Sequence, residues 1–140
     1  MIVLDSSFLI AFHNRRDVHH TAAAEIMDRL LDGAWGELLL PEYVFLEVVT
    51  VLAVRLGIET AVAVGETLLD ARELEFVPCS ELFLDTLDVF RRQPGTSLSF
   101  ADSAIVAIAR RREAGHVATF DADFQGVDGL MVVPDEPATC

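Results

Sequence analysis

Short, continuously apolar runs alternate with longer segments of helical periodicity along this chain. The runs predict buried strands at 2–4, 38–40, 74–77, 116–120 and 130–133, since apolar stretches of this length are typical of strands covered on both faces. Apolar side chains at helical spacing predict helices over 6–12, 19–32, 41–57, 58–72, 80–92 and 99–115. The alternation indicates an α/β fold, a three-layer α/β/α sandwich around a mainly parallel sheet of about five strands.

Three of the predicted helices are rich in apolar side chains. The third is apolar almost all round, which is typical of a helix deep in the core or in a subunit interface. The fifth places Leu82, Phe83, Leu87 and Phe90 on one side. For the third and fourth helices, core burial is the default interpretation and an interface is the alternative.

Size and composition fit a single domain over residues 1–134, followed by a tail at 135–140. A chain of 140 residues that is 52% hydrophobic and 24% charged is globular rather than disordered. Its longest strongly apolar stretch, around 48–54, is far too short to cross a bilayer, and the start of the sequence leads us to expect no leader before the first strand. We therefore expect a soluble, cytoplasmic protein, in which Cys79 and Cys140 are reduced thiols.

The charge balance restricts how this protein can meet nucleic acid. The chain has ten basic residues, all of them Arg, and 23 acidic ones, so that its formal net charge is −13. Broad, sequence-independent nucleic-acid binding draws on a basic field, so any nucleic acid must be held locally. The surplus acid suits a basic protein partner, although a solubilising surface is the more common explanation.

Four acids occupy positions where carboxylates are costly. Asp5 and Asp121 each end an apolar run, whereas Glu47 and Asp102 each lie inside an apolar helical segment. No Arg stands three or four residues from Glu47 or Asp102, which excludes helical ion pairing. Taken alone, Glu47 could be a buried neutral carboxyl or the partner of a distant Arg. A shared divalent cation explains all four, and points to phosphodiester chemistry.

Each acid near a helix start or turn also has a purely structural explanation. Asp5 could cap the first helix. Ser99 and Asp102 fit the capping-box pattern, and the pair Asp121 and Asp123 is common in turns. The ligand site of an open parallel sheet lies beyond the carboxyl ends of its strands. If the first and fourth strands are neighbours where the strand order reverses, Asp5 and Asp121 converge, and we favour one acidic site.

The motifs together resemble those of a known nuclease family. They are the segments Ile2–Ile10, Pro41–Val48, Leu98–Ala107 and Thr119–Phe124. Their order and content are similar to those of the motifs in PIN-domain nucleases, specifically in the VapC-type ribonuclease toxins of toxin-antitoxin pairs. The resemblance covers essentially the whole chain. The first family motif often reads Asp-Thr-Asn, and here it reads Asp5-Ser6-Ser7.

This resemblance implies a metal-dependent endoribonuclease that hydrolyses RNA with one or two Mg²⁺ or Mn²⁺ ions. It implies a homodimer and a small antitoxin that inserts a basic side chain into the acidic site. A PIN-like binding or regulatory module without turnover is the alternative. The residues that the resemblance assigns are the metal-binding acids Asp5, Glu47, Asp102 and Asp121, a further ligand Asp123, and the supporting groups Ser7 and Thr119.

Basic side chains that could touch phosphate occur at three places, namely Arg15 and Arg16, Arg91 and Arg92, and residues 110–112. The last group complements the carboxyl end of a helix in the favoured interpretation. His13, His19 and His20 match no metal-ligand spacing and are interpreted as surface residues. A phosphoaspartyl receiver domain, which needs a Lys beside its acid, is excluded because the chain has none.

Overall fold

The computed structural model describes residues 1–135, and every predicted strand and helix is present within them. The predicted ends differ by at most three residues. The short 3-10 helix Ser80–Leu82 takes the place of the first turn of the predicted fifth helix, and the 3-10 helix Ala122–Gly126 was not predicted. The predicted tail lies beyond residue 135 almost entirely, outside the described residues. In chain order the elements are β1 Ile2–Leu4, α1 Ser6–His13, α2 His20–Leu31, β2 Leu38–Pro41, α3 Glu42–Leu56, α4 Ile58–Asp70, β3 Leu74–Val77, α5 Phe83–Arg92, α6 Phe100–Arg112, β4 His116–Ala118 and β5 Met131–Val133.

The five strands form one sheet in the order β3-β2-β1-β4-β5, and all neighbours are parallel. The chain therefore builds outward from β1 in one direction and returns to its other side with β4, which confirms the predicted reversal. Leu4 pairs with Ala118 in the register of β1 and β4. The residues that follow each strand consequently emerge side by side at the carboxyl edge, where open parallel sheets bind ligands.

The central strands are buried on both faces. Ile2, Val3 and Leu4 are each fully buried, and β2 is buried along its length. Because a strand exposes alternate side chains to opposite faces, helices must cover both sides of the sheet. The three-layer prediction is confirmed.

The third helix is buried on one side only, although its composition would also have allowed burial all round. Val44, Val48 and Leu52 form its buried stripe, at the four-residue spacing that returns to one face of a helix. Leu46 and Val54 are exposed, at 55% and 84%. The composition was therefore a poor guide to burial here, because apolar side chains occupy both the inner and the outer faces.

The fifth helix likewise exposes most of its apolar side. Phe83, Leu87 and Phe90 are each between two fifths and one half exposed, whereas Leu82 is buried in the preceding 3-10 turn. Thr86 is the fully buried residue of α5. Within residues 1–135, none of the helices combines the length and the apolar character needed to cross a bilayer.

Candidate active site

A cleft of about 370 Å³ opens where β1 and β4 end. The first turn of α6 and one side of α3 form its other walls. All four acids singled out from the sequence line it. The chain brings them from four distant segments, and the lining also contains side chains that the sequence did not single out. Its polar lining residues are Asp5, Ser6, Ser7, Asp17, His19, Glu47, Arg55, Ser99, Asp102 and Asp121.

Asp5 is the most buried acid of the cleft, with 3% of its surface exposed. It stands at the N-cap position of α1, but its side chain makes no capping hydrogen bond. The capping explanation of this residue is therefore wrong. Its Oδ2 instead accepts hydrogen bonds from the hydroxyls of Thr119 at 2.6 Å and Ser7 at 2.9 Å.

These two hydroxyls connect Asp5 to the end of β4. The Thr119 Oγ1 accepts the backbone N–H of Asp121 at 2.9 Å, and the Ser7 Oγ accepts that of Phe120 at 2.9 Å. Each hydroxyl oxygen thus receives one proton from the backbone and directs its own proton to Asp5. The network fixes the Asp5 carboxylate relative to the end of β4. The supporting role of Ser7 and Thr119 in a reaction stays a prediction.

Asp102 combines the two interpretations that the sequence offered for it. Its Oδ2 accepts the Ser99 backbone N–H at 3.0 Å, and the Ser99 hydroxyl accepts the Asp102 N–H at 3.0 Å. This closes the predicted capping box at the start of α6. The same carboxylate lines the cleft with Asp5 and Asp121. A capping role therefore does not remove Asp102 from the candidate site.

Asp121 and Asp123 have different positions. The Asp121 Oδ1 accepts the backbone N–H of Asp123 at 2.9 Å and so caps the short helix 122–126. Asp121 lines the cleft, whereas Asp123 is not among its lining residues. The expected further ligand thus lies outside the cleft lining, in the 3-10 turn that follows Asp121.

The acids of the cleft act on one another electrostatically. Burial raises the pKa of Asp5, hydrogen bonds from Thr119, Ser7 and the Ser6 backbone lower it in part, and the charge of Asp121 raises it further. Burial also raises the pKa of Asp102, and the charges of Asp5 and Asp121 add to this effect. Asp5, Asp102 and Asp121 therefore form one coupled group, in which negative charge is unfavourable without a cation.

Glu47 differs from the expectation of a buried carboxylate, because its side chain is exposed. The buried stripe of α3 passes through Val44, Val48 and Leu52, and Glu47 lies on the adjoining side, which faces the cleft. Its apolar neighbours suggested burial, but Leu46 is exposed and Tyr43 and Val51 are only partly buried. Glu47 therefore reaches the cleft from an open helix face rather than from the core.

Arg55 is the lining residue that the sequence analysis missed most clearly. It stands eight residues after Glu47, with Val51 halfway between, so that all three share one side of α3 and line the cleft. A search restricted to three or four residues from Glu47 overlooked this two-turn spacing. In the described part of the chain Arg55 takes part in no salt bridge, so the cleft contains a cationic group opposite its acids.

His19 and Phe120 form a second feature that was missed. The two rings stack with centroids 4.3 Å apart and an interplanar angle of 4°, and both residues line the cleft. His19 is exposed, as its surface assignment predicted. His20 is half-buried, with Nδ1 at 2.8 Å from the Ala11 carbonyl oxygen, and His13 is also partly covered. The surface interpretation is thus incomplete for these two.

Most of the Arg residues considered for phosphate contact are engaged elsewhere. Arg91 and Arg92 pair with Asp88, Arg111 pairs with Asp85, and Arg112 bonds Glu75 at 2.6 Å. None of these lines the acidic cleft, and neither do Arg15 and Arg16. Within residues 1–135, Arg55 is the Arg that lines this cleft.

The donor chemistry of the cleft fits a hard divalent cation bound partly through water. Asp102 and Asp121 each use one carboxylate oxygen for the backbone and leave the other without a hydrogen bond inside residues 1–135. Among those residues, no three His, Cys, Asp or Glu side chains are arranged to ligate one ion directly. Mg²⁺ usually retains several waters and takes only one or two carboxylates, so these acids suit an ion held by few direct bonds.

Comparison with known proteins places the chain in a family. The PIN domain model matches residues 2–130. A comparison with curated protein sequences gives no match. The crystal structure of Mycobacterium tuberculosis VapC20, a toxin that cleaves the sarcin-ricin loop, is 25% identical, with a TM-score of 0.77 over 89% of this chain and 93% of that one.

Two further solved structures share the fold at lower identity. VapBC2 of Rickettsia felis, bound to a DNA fragment from its promoter, is 15% identical with a TM-score of 0.67, over 94% of this chain and 97% of that one. DNA-bound VapBC of Salmonella typhimurium is 18% identical with a TM-score of 0.66, over 94% and 95%. The family match over nearly the whole chain, the all-parallel sheet and the acidic cleft at its switch point agree, and this chain belongs to the PIN domain family.

Proposed function

We propose that this protein is a metal-dependent endoribonuclease and the toxin of a toxin-antitoxin pair, acting in the cytoplasm. The observation that carries the proposal is the coupled group of Asp5, Asp102 and Asp121 in one cleft at the carboxyl edge of the sheet. The similarity to VapC20, a toxin that cleaves the sarcin-ricin loop, supports RNA as the substrate.

The three coupled acids, with Glu47 at the opposite wall, would hold one or two Mg²⁺ or Mn²⁺ ions, directly or through water. Such an ion lowers the pKa of a water molecule and neutralises charge on the scissile phosphate. The residues of the chain supply the rest. Ser7 and Thr119 orient the Asp5 carboxylate, and Arg55 is positioned to hold a non-bridging phosphate oxygen or a neighbouring phosphate.

The same comparison supports a protein partner. Complexes of toxin and antitoxin are among the similar structures, which supports an antitoxin partner. The acidic lining of the cleft suits a basic side chain of a small antitoxin. Exposed apolar side chains on α3 and α4, including Val54 and Ile58, suit a protein interface. We propose that these helices form the homodimer and antitoxin contacts.

The test is cleavage of RNA by the purified chain with Mg²⁺ or Mn²⁺, with EDTA, and with the Asp5→Asn variant. We expect internal cleavage with either ion, none with EDTA, and a loss of at least a hundredfold in Asp5→Asn. Circular dichroism should show that the variant remains folded, because Asn preserves the size of the side chain. Cleavage at the wild-type rate by a folded Asp5→Asn variant would refute the assignment, and RNA binding without cleavage would favour a regulatory module.

A further inference from the structure

A row of three neighbouring aromatic rings leads from the hydrophobic core to the acidic cleft. Phe8 is fully buried, and its ring centroid lies 6.4 Å from that of Phe120. Phe120 in turn stacks on His19, at 4.3 Å and nearly parallel. The innermost ring is packed in the core, and the outermost ring, His19, is exposed and lines the cleft. This row of rings therefore ends in a flat ring beside the acids.

Hydrogen bonds on both sides hold the stacked pair in place. The Phe120 backbone N–H donates to Ser7 Oγ at 2.9 Å, which ties this ring to the network around Asp5. The His19 backbone N–H donates to Asp17 Oδ1 at 2.8 Å. The next residue, His20, contacts the Ala11 carbonyl through Nδ1 at 2.8 Å and joins the start of α2 to α1. The His19 ring is thus pre-organised before any ligand arrives.

The position of this ring relative to the acids indicates what it could bind. Asp121 directly follows Phe120 and lines the same cleft. A phosphodiester placed at the acids has a nucleobase attached through the sugar on either side. Base stacking on an exposed aromatic ring is a common way to hold unpaired nucleotides, and it tolerates any base because every base has a flat π-face.

A merely structural role is the alternative, in which His19 only shields Phe120 from water. An aliphatic side chain of similar size would shield Phe120 equally well, but it could not stack with a base. The two roles therefore make different predictions for His19→Leu and His19→Phe.

We infer that the stacked pair of His19 and Phe120 is a nucleobase subsite, which takes an unpaired base adjacent to the phosphate held at the acidic group. This inference rests on the proposed function, because it names part of the substrate for that same site. His19 contacts the substrate directly in this scheme. Since a paired base has both faces covered by its neighbours, the subsite favours single-stranded segments over duplex.

The experiment measures KM and kcat for a short single-stranded RNA with wild type, His19→Leu, His19→Phe and Val18→Ala. Val18 is 91% exposed, adjacent in sequence and outside the cleft lining, and is the matched control. We expect His19→Leu to raise KM about tenfold with kcat little changed, and His19→Phe and Val18→Ala to stay near wild type. The same RNA with an abasic nucleotide beside the cleavage point should raise KM for wild type, but not further for His19→Leu.

A binding assay separates failure of this inference from failure of the proposed function. The probe is a short RNA carrying 2-aminopurine, whose fluorescence falls when the base stacks, added to the Asp5→Asn variant with Mg²⁺. Quenching that is lost in the Asp5→Asn, His19→Leu double variant and kept with His19→Phe supports the subsite, even if the wild type cleaves no RNA. Equal quenching with Leu and Phe, or equal KM for both single variants, overturns it.

Discussion

The two walls of the cleft are built on different principles. The acidic wall, formed by Asp5, Asp102, Asp121 and the hydroxyls of Ser7 and Thr119, is joined by hydrogen bonds to strand ends and to the start of α6. The α3 wall, formed by Glu47, Val51 and Arg55, presents exposed charged side chains. Inside residues 1–135, the side chains of Glu47 and Arg55 make neither hydrogen bonds nor salt bridges.

This difference separates two tasks that the proposed reaction requires. Clustered carboxylates repel one another, so they stay close together only where the surrounding fold holds them in place. The acidic wall meets that condition. Long exposed side chains on a helix can adapt to a substrate or an ion at little cost in folding stability. We therefore expect substitutions in the acidic wall to have larger effects on activity than substitutions in the α3 wall.

The largest effect should follow from Asp102→Asn. Asn can still accept the Ser99 backbone N–H, so the capping box remains while the negative charge is lost. In the proposed mechanism this charge helps to bind the cation, so we expect roughly a thousandfold loss of RNA cleavage at saturating substrate. Single-turnover cleavage rates measure it.

Asp123→Asn is the matched control for Asp102→Asn. It removes the same charge from a residue outside the cleft lining, and its activity should remain within a few-fold of wild type. If both variants lose activity equally, Asp123 belongs to the site and the boundary of the acidic wall is wrong.

The next largest effect should follow from Thr119→Val, which replaces a hydroxyl by a methyl group of similar shape. It removes the hydrogen bond to Asp5 and the acceptor of the Asp121 N–H. A hydrogen bond to a charged group contributes about 1.5–3 kcal/mol, so we expect cleavage to fall by roughly thirtyfold. Thr119→Ser, which restores the hydroxyl, should recover most of the activity.

The pH profile distinguishes this positioning role from general damage to the fold. The Thr119 bond lowers the pKa of Asp5, and its loss should therefore raise that pKa. As the pH is lowered, activity that requires ionised Asp5 should therefore begin to fall at a higher pH in Thr119→Val than in wild type. An unchanged acidic limb would show that Thr119 does not act through Asp5.

The acidic wall was predictable from the sequence because local rules place its members. Asp5 and Asp121 follow short apolar runs, and parallel strands bring such positions to one edge. Asp102 follows Ser99 at capping-box spacing, which fixed the start of α6 as expected. The family resemblance added the connection between segments, which no local pattern provides.

The α3 wall was harder to predict because it depends on the rotation of one helix. Apolar residues surround Glu47 on all sides in sequence, so periodicity alone did not distinguish the buried stripe at Val44, Val48 and Leu52 from the exposed side. Arg55 and His19 carried no motif that could single them out. Their positions follow from packing between elements, which a single sequence does not specify.

A smaller effect is expected for Glu47→Gln, which tests the α3 wall. The side chain keeps its size and loses its charge, and a group that acts through water or at the edge of a metal site typically contributes about tenfold. The loss should be partly recovered at higher Mn²⁺ concentration, because weakened ion binding is its expected cause. Glu66→Gln, an exposed substitution on α4 away from the cleft, is the control. A thousandfold loss in Glu47→Gln would mean that both walls contribute equally and that exposure is a poor guide here.

The smallest expected effect concerns stability rather than rate, and it tests whether the acidic wall is strained without a cation. The folded state raises the pKa of Asp5 through burial and the charge of Asp121, so ionised Asp5 opposes folding at neutral pH. In EDTA at pH 7, Asp5→Asn should therefore melt about 3 °C above wild type, whereas exposed Asp28→Asn should not.

As the pH falls through the folded-state pKa of Asp5 towards the ordinary carboxyl value, Asp5 of the wild type becomes protonated and the difference in melting temperature should close. Added Mg²⁺ should raise the melting temperature of wild type by more than that of Asp5→Asn, in which the ion is bound more weakly. If Asp5→Asn is less stable than wild type at pH 7 in EDTA, the hydrogen bonds of Ser7 and Thr119 outweigh the burial of charge, and the acidic wall is a stable unit without metal.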